Sequence, residues 1–474
     1  MDTARPAAPE SAPEPGPGSS TAGPVHPVDE LLPAPRLLAY GLQHIAAMYA
    51  GVVAPPLIVG AACGLSSTEL TVLIGAALLT SGLATLLQTL GVWKVGSRLP
   101  FVNGISFAGV APMVAIAKTA HPGQALPLIY GGILVAGAAA FFAAPWFGRL
   151  NRFFPPVVSG TVITLIGLSL FPVAANWAEG GDPGAHDFGS VSNIGLAGLT
   201  LAVVLLLNRF LQGFLRSISI LLGLLVGTLA AIPFGKTDFG QLAHVPVFAV
   251  PSPFHFGAPQ FQVAAVISML IVMLVSMTES TADMLALGEI VERPADEAVI
   301  TAGLRADGAA TAVAALLNGF TATAFAQNIG LVALTNVRSR FVVATSGVVL
   351  VLLGLFPVAG AVVNVVPEPV LGGAGIALFG TVAASGIRTL TRARLQDNGN
   401  LLTVAVAIGF GVLPIVAPTF YNAFPQAVQT VMDSGISAGC LVAVVLNLLF
   451  NHVGRGTAAE PARPQAEPVL EHAV

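Results

Sequence analysis

The sequence predicts an all-α polytopic membrane protein, with fourteen transmembrane helices forming two inverted seven-helix repeats. Three observations predict it. Only 9% of the 474 residues are charged and 55% are hydrophobic, whereas a soluble domain carries roughly 25% charge. Apolar stretches close to the ~20 residues that span a hydrocarbon core recur along the chain. The Lys and Arg residues fall almost wholly on alternate connections between those stretches. The shortage of charge excludes a soluble globule of this length, a disordered chain and a coiled coil. With 19 Lys and Arg and no basic run, a nucleic-acid partner is excluded too, because nothing could neutralise a row of phosphates. The 52 glycines suit closely packed membrane helices.

Taken in order, the spans lie near 37–60, 67–90, 101–118, 125–145, 156–176, 193–210 and 214–234, then 261–286, 299–318, 322–337, 341–363, 367–387, 399–418 and 432–451. The first repeat occupies 37–234 and the second 261–451. Residues 1–36 are rich in Pro, Ala, Gly and Ser and lack the basic start and apolar stretch of a signal peptide, so they and residues 453–474 read as disordered tails. Cys63 and Cys440 lie at or within apolar stretches and no Cys-x-x-Cys pair occurs, so neither a disulfide framework nor a metal site is expected.

Charge tests this division independently. Of the 19 Lys and Arg, only Lys118 and Lys236 fall on one side. The other side holds Lys94, Arg98, Arg149, Arg152, Arg209, Arg216, Arg293, Arg305, Arg338, Arg340, Arg388, Arg392 and Arg394, and the tails add Arg5, Arg36, Arg455 and Arg463. By the positive-inside rule this face and both termini are cytoplasmic. The acidic stretch around Glu179, Asp182 and Asp187 falls outside. A different span count would scatter the pattern.

The third and tenth spans are short and interrupted by small residues. They are seven apart, and because seven is odd the second half enters the membrane from the opposite side. Interrupted segments at matching positions of two halves point to the binding site of a transporter; Gly-rich packing surfaces are the other reading. The breaks run Asn103-Gly104-Ile105-Ser106-Phe107-Ala108-Gly109 and Thr323-Ala324-Phe325-Ala326-Gln327-Asn328-Ile329-Gly330.

Ionisable groups inside spans are expensive and usually functional. Four stand out. Glu279 and Asp283 are four apart in the eighth span and so share one helical face. Two carboxylates so close in low dielectric disfavour each other's ionisation, which suits proton coupling; a structural helix-to-helix hydrogen bond is the alternative. His44 follows Gln43 in the first span, ahead of a break expected at Pro55-Pro56, and is read either as a packing residue or as a coupling one. Asp307, early in the ninth span, divides equally between a structural and a coupling role. At the tenth-span break, Gln327 and Asn328 offer amide donors and acceptors that match a heterocycle with alternating C=O and N–H edges. Phe107 and Phe325 could stack on a flat ring. An inorganic anion on two facing helix N-termini fits as well.

These residues resemble the nucleobase–ascorbate transporter family, also called nucleobase:cation symporter-2. Its signature of Gln, Glu or Pro, then Asn-x-Gly, four residues, Thr and a final Arg, Lys or Gly is met by Gln327-Asn328-Ile329-Gly330 through Thr335, with Asn336 departing at the last position. Gln43-His44 is similar to its QH motif, Ser276 to Asp283 to its eighth-helix carboxylate motif, and Ala306-Asp307-Gly308 to its ninth-helix acidic motif. The resemblance covers about residues 36–452.

What the resemblance implies is a core domain of spans one to four and eight to eleven, and a gate domain of the rest. It further implies an elevator-like movement of the core and a homodimer. Substrate would be bound by Glu279, Gln327, Asn328, Phe107, Ser106, Phe325 and Gly330, with Glu279, Asp283, Asp307 and His44 coupling to protons or supporting the site. Uracil-type relatives tend to carry Glu and His at the positions of Gln327 and Asp283. Purine-type relatives tend to carry Gln and Asp, as here, and the ascorbate branch has Pro in place of Gln327. The implied protein is a xanthine or urate proton symporter of the plasma (inner) membrane, of the purine permease type. No cofactor, no metal and no enzymatic activity are expected, since no clustered metal ligands, nucleophile elbow or phosphate-cradling loop occur. The alternatives are a uracil or other nucleobase symporter, or an anion exchanger of the related sulfate-carrier fold.

Overall fold

A computed structural model describes residues 25–148, 153–237, 239–240 and 246–452. Most of both expected tails, with Arg5, Arg149, Arg152, Arg455 and Arg463, lies outside those residues. The helices are α1 (Ala34–Ala62), α2 (Ser67–Leu90), α3 (Val110–Thr119), α4 (Ala125–Ala143), α5 (Pro156–Glu179), α6 (Val191–Phe210) and α7 (Ser219–Ala231). The second set is α8 (Val263–Ile290), α9 (Glu297–Leu316), α10 (Ala326–Thr335), α11 (Arg340–Leu355), α12 (Glu368–Leu390), α13 (Asn398–Val416) and α14 (Gly435–Asn451). Two short strands, β1 (Asn103–Ile105) and β2 (Ala322–Ala324), precede α3 and α10.

Each expected span overlaps one of these helices. Among the described residues, nine helices are long and apolar enough to cross a membrane alone, and up to eleven if each of two bent pairs counts as one span. The bent pairs are α11 with Pro357–Asn364, at 78°, and Gln426–Met432 with α14, at 85°. Local signals set the ends. Ser66 and Glu69 form a reciprocal capping box ahead of α2, and Asp296 caps α9 through the Val299 amide. The expected break at Pro55-Pro56 is absent, because α1 runs through both prolines. Every residue from Gly51 to Gly60 is buried there, and tertiary packing overrides the missing hydrogen bonds.

The packing carries the inverted repeat. Exchanging each helix for the one seven places away maps the contacts onto themselves. The pair α2·α11 becomes α9·α4, α1·α11 becomes α8·α4, α6·α7 becomes α13·α14, and α6·α12 becomes α13·α5, while α5·α12 maps to itself. Helices α1–α4 and α8–α11 pack mainly among themselves as a core, and α5–α7 with α12–α14 as a gate. The α5·α12 crossing is close enough that a Cβ added at Gly386 would sit 2.2 Å from the Thr164 backbone nitrogen.

The strands pair antiparallel at the centre, Asn103 with Ala324, Gly104 with Thr323 and Ile105 with Ala322. Each strand thus meets the other half's backbone polar groups just before its own helix begins. The arrangement repeats in both halves: the Ser106 amide donates to the Thr321 carbonyl and the Phe325 amide to the Val102 carbonyl. Thr85 Oγ1 accepts from the Asn103 amide at 3.1 Å, as Thr311 Oγ1 accepts from the Ala322 amide at 3.0 Å.

The arginine-rich face holds an ordered clasp. Residues 25–36 were expected within a tail, but Pro27–Asp29 forms a 3-10 turn, Val28 is fully buried, and α1 begins at Ala34. Asp29 meets Arg293 at 3.1 Å and Arg340 at 2.7 Å, and Ser339 Oγ donates to the Glu30 carbonyl. One carboxylate thus ties the α8–α9 connection to the start of α11. On the opposite face the Lys236 ammonium reaches Asp187 at 2.6 Å and holds its carboxyl below the usual range, chiefly through that hydrogen bond. Because the Asp29 pairs are partly exposed, Asp29→Ala is expected to lower unfolding stability by about 1 kcal/mol. The check is a fall in melting temperature of the detergent-solubilised protein; unchanged melting would show that the turn is not clamped.

Candidate functional site

Two half-spans end at the middle of the fold, and their helices start beside one another. Phe325 caps α10 without any side-chain hydrogen bond to the first helical amides, so α10 presents bare N–H donors and the positive end of its dipole. On the other half, Ser106 Oγ accepts from the Ala108 amide at 3.3 Å ahead of the turn that leads into α3. A cavity of about 230 Å³ lies where these starts face the gate helices. That is below the roughly 300–1,000 Å³ of sites for drug-sized ligands and suits a small planar molecule.

The core wall of the cavity holds Phe107, Glu279, Thr323, Phe325 and Gln327; the gate wall holds Ile163 and Ile166 of α5 and Thr381, Ser385 and Arg388 of α12. Thr323 Oγ1 lies 3.5 Å from Glu279 Oε2, at the limit of a hydrogen bond. The Phe325 ring is seated on glycines: a Cβ at Gly104 would come within 2.4 Å of it and one at Gly51 within 2.7 Å. Phe107 meets Phe379 of the gate edge-on, with ring centroids 6.1 Å apart. A second cavity of about 180 Å³ continues from the first toward the arginine-rich face, sharing Glu279, Ser385 and Arg388 and adding Asp283, Thr389 and Arg392. Glu279 and Asp283 line it together, as their spacing of four requires.

The expected site residues thus divide. Phe107, Glu279, Phe325 and Gln327 line the first cavity and Asp283 the second. Ser106, Asn328, Gly330, Asp307 and His44 line neither. Ser106 is fully buried and bonds Ser276 Oγ at 3.0 Å, behind the cavity wall. Asn328 points away: its amide reaches His44 Nδ1 at 3.0 Å and the His44 carbonyl at 2.9 Å. Consecutive residues of a helix stand ~100° apart, so Gln327 facing the cavity turns Asn328 toward α1. Gly330 lies a turn further on, and a Cβ there would meet nothing within 4 Å. Asp307 is fully buried and accepts from Asn103 Nδ2 at 2.6 Å and Gln88 Nε2 at 2.8 Å, holding β1 to α2 and α9. His44 is buried and joins α1 to α10 through Asn328.

Sequence reasoning missed Gln88, Thr323 and Arg388. Gln88 also donates to the Gly303 carbonyl and accepts from the Ser97 amide. A glutamine deep in an apolar span is a usable signal, but Gln88 is neither ionisable nor placed at a helix break, the two features that mark the other candidates. Arg388 was counted as a loop charge, although it belongs to the last turn of α12 and lines both cavities.

An inverted-repeat helical fold with a small, mostly apolar cavity where two broken spans meet the gate, carrying a few polar groups, is the fold of a multi-pass membrane carrier. Solved structures share the fold: the transmembrane domain of the cyanobacterial bicarbonate transporter BicA matches with a TM-score of 0.54 at 16% identity, over 87% of this chain and 98% of that one. The murine solute carrier 26 family member A9 anion transporter matches with a TM-score of 0.55 at 12% identity, over 88% and 68%. The Xan_ur_permease model, described as "Permease family", matches residues 35–420. The xanthine permease of Bacillus subtilis is 41% identical over 91% of this chain and 98% of that permease. The uric acid permease PucK of the same organism is 44% identical over 88% and 95%, and the uric acid transporter UacT of Escherichia coli 39% identical over 90% and 89%. The chain belongs to this permease family, in agreement with the resemblance to the nucleobase:cation symporter-2 purine permeases. Its relatives are transporters, not enzymes.

The buried network gives a discriminating prediction. Asp307→Ala strands two buried amide donors and is expected to lower stability by about 2–4 kcal/mol. Asp283→Ala, which removes no hydrogen bond seen among the described residues, stays within about 1 kcal/mol. Melting curves of both variants decide it; equal losses would contradict the structural role given to Asp307.

Proposed function

We propose that the protein imports a purine nucleobase, xanthine or urate, by proton symport across the plasma (inner) membrane, working as a homodimer with both termini cytoplasmic. The observation that carries this reading is the convergence of Glu279 and Gln327 with Phe107 and Phe325 in the lining of one small cavity. The two rings bracket a planar ligand, and face-on or edge-on contacts of that kind favour aromatic heterocycles. Glu279 accepts from ring N–H groups, Gln327 offers both a donor and an acceptor, and the bare α10 amides take a carbonyl oxygen. The names of the curated relatives support the same substrate class.

A carboxyl group in the substrate cavity, with a second one turn away, provides a place where a proton and a base can bind together. Charge in a membrane-embedded, partly dry site favours occupancy by a neutral set of groups. Loading Glu279 with a proton therefore links ion and substrate. Transport follows from movement of the core, which carries both helix breaks, past the α5 and α12 wall of the gate. The second cavity opens the site toward the arginine-rich face, which is the cytoplasmic exit in this reading. A site built for an inorganic anion is disfavoured by Phe107 and Phe325, whose ring faces offer such a ligand no hydrogen-bond donors.

Glu279→Gln is expected to abolish proton-driven uptake of radiolabelled xanthine, and a protonophore to abolish uptake by the unaltered protein. Gln327→Ala is expected to raise KM about tenfold, the equivalent of roughly 1.4 kcal/mol, at normal expression. Uptake by Glu279→Gln at the unaltered rate, or uptake driven by sodium and indifferent to protonophore, would overturn the coupling assignment.

A further inference from the structure

Gate helix α12 turns a polar face toward the seam. Thr381, Ser385 and Arg388 follow at spacings of four and three, so they share one side of the helix. All three line the first cavity, and Ser385 and Arg388 continue into the second, where Arg392 joins them just past the helix end. Across from them, core helix α8 presents Glu279 and Asp283. The seam is therefore polarised, with carboxylates on the core side and guanidinium groups on the gate side.

These charges do not close on each other. No ion pair joins Arg388 to Glu279 or Asp283 among the described residues, and Asp283 Oδ2 is buried without a hydrogen-bond partner. The volume between them is open. The remaining neighbours add no charge: α5 contributes Ile163, and α10 contributes Ala326 and Gln327.

We propose that Arg388 is the gate-side specificity residue, whose guanidinium takes the oxygen-bearing, anion-forming edge of an oxidised purine while its N–H edge faces Glu279 and Gln327. This rests on the purine reading above and narrows it. A guanidinium offers five donors in a planar fork that matches two neighbouring acceptors on a flat ring and gains from negative charge there. Xanthine and urate carry such an edge and ionise readily; hypoxanthine lacks the second pyrimidine-ring carbonyl and stays neutral near pH 7. Arg388 thus favours the first two over the third. Its position on the gate also means that this contact is remade whenever the core moves, so Arg388 meets the ligand only in states that place the cavity beside the end of α12.

The test is binding of radiolabelled xanthine to the full-length purified protein, with urate and hypoxanthine as competitors, for the unaltered chain, Arg388→Lys and Arg388→Gln. Arg388→Gln is expected to weaken xanthine and urate about tenfold or more and hypoxanthine less than about threefold, with Arg388→Lys between. An unchanged preference of xanthine over hypoxanthine in either variant, whatever happens to overall affinity, overturns the proposal. If Arg388→Gln does not fold, Arg388→Lys decides through the same ratio. Absence of xanthine and urate binding by the unaltered protein would instead sink the purine reading itself, so the two failures are distinct.

Discussion

A broken helix inside a membrane leaves backbone N–H and C=O groups that lipid cannot satisfy, and the rest of this structure depends on how that constraint is met. Two spans break, and each break supplies the partner of the other. The three-residue pairing of β1 with β2, extended by the Ser106–Thr321 and Phe325–Val102 bonds, closes the accounts of both. Thr85 and Thr311 repeat one task on the two sides, each accepting an amide at the start of a strand. Because both segments become helical only after the paired strands, α3 and α10 begin beside one another, and the cavity lies at their starts.

That placement accounts for the division of labour among the polar residues. The groups facing the cavity, Glu279 and Gln327, keep hydrogen-bonding capacity free for a ligand. Those behind it are committed to the protein: Asp307 to Gln88 and Asn103, and His44 to Asn328. A committed rear layer fixes the few side chains at the front, since positioning groups must themselves be positioned. The gate contributes a different surface, apolar along α5 and polar along α12. The site is complete only while core and gate are apposed.

Much of this was legible in the sequence because charge is so scarce. With 9% of residues charged, the spacing of Glu279 and Asp283 and the alternation of Arg-bearing connections stood out, and both follow from local periodicity. The helix breaks were legible through their small residues and amides. Direction was harder to see. Gln327 and Asn328 are adjacent in the motif, and only the setting of α10 against α1 shows that one faces the cavity and the other His44. Gly330 belongs to the motif yet contacts nothing in the cavity. Arg388 was hidden for the opposite reason: a cation at the end of a span reads as a topology marker, and its place in the lining depends on α12 facing α8 across the cavities, more than a hundred residues away in sequence. The clasp at Asp29 was concealed by a composition that resembles a tail, although Val28 is buried and its neighbour bridges two arginines.

The central claim is that the ligand sits at the crossing of the two breaks, held from the core by Glu279 and Gln327 and bracketed by Phe107 and Phe325. An experimental structure of the full-length protein with xanthine bound tests it most directly. The account predicts density for the ring between Phe107 and Phe325, with an N–H edge within hydrogen-bond distance of Glu279 and a polar edge against Gln327. Density in the cavity of about 480 Å³ lined by Asn193, Lys236 and Glu368 on the opposite face, with the central cavity empty of purine, would contradict it.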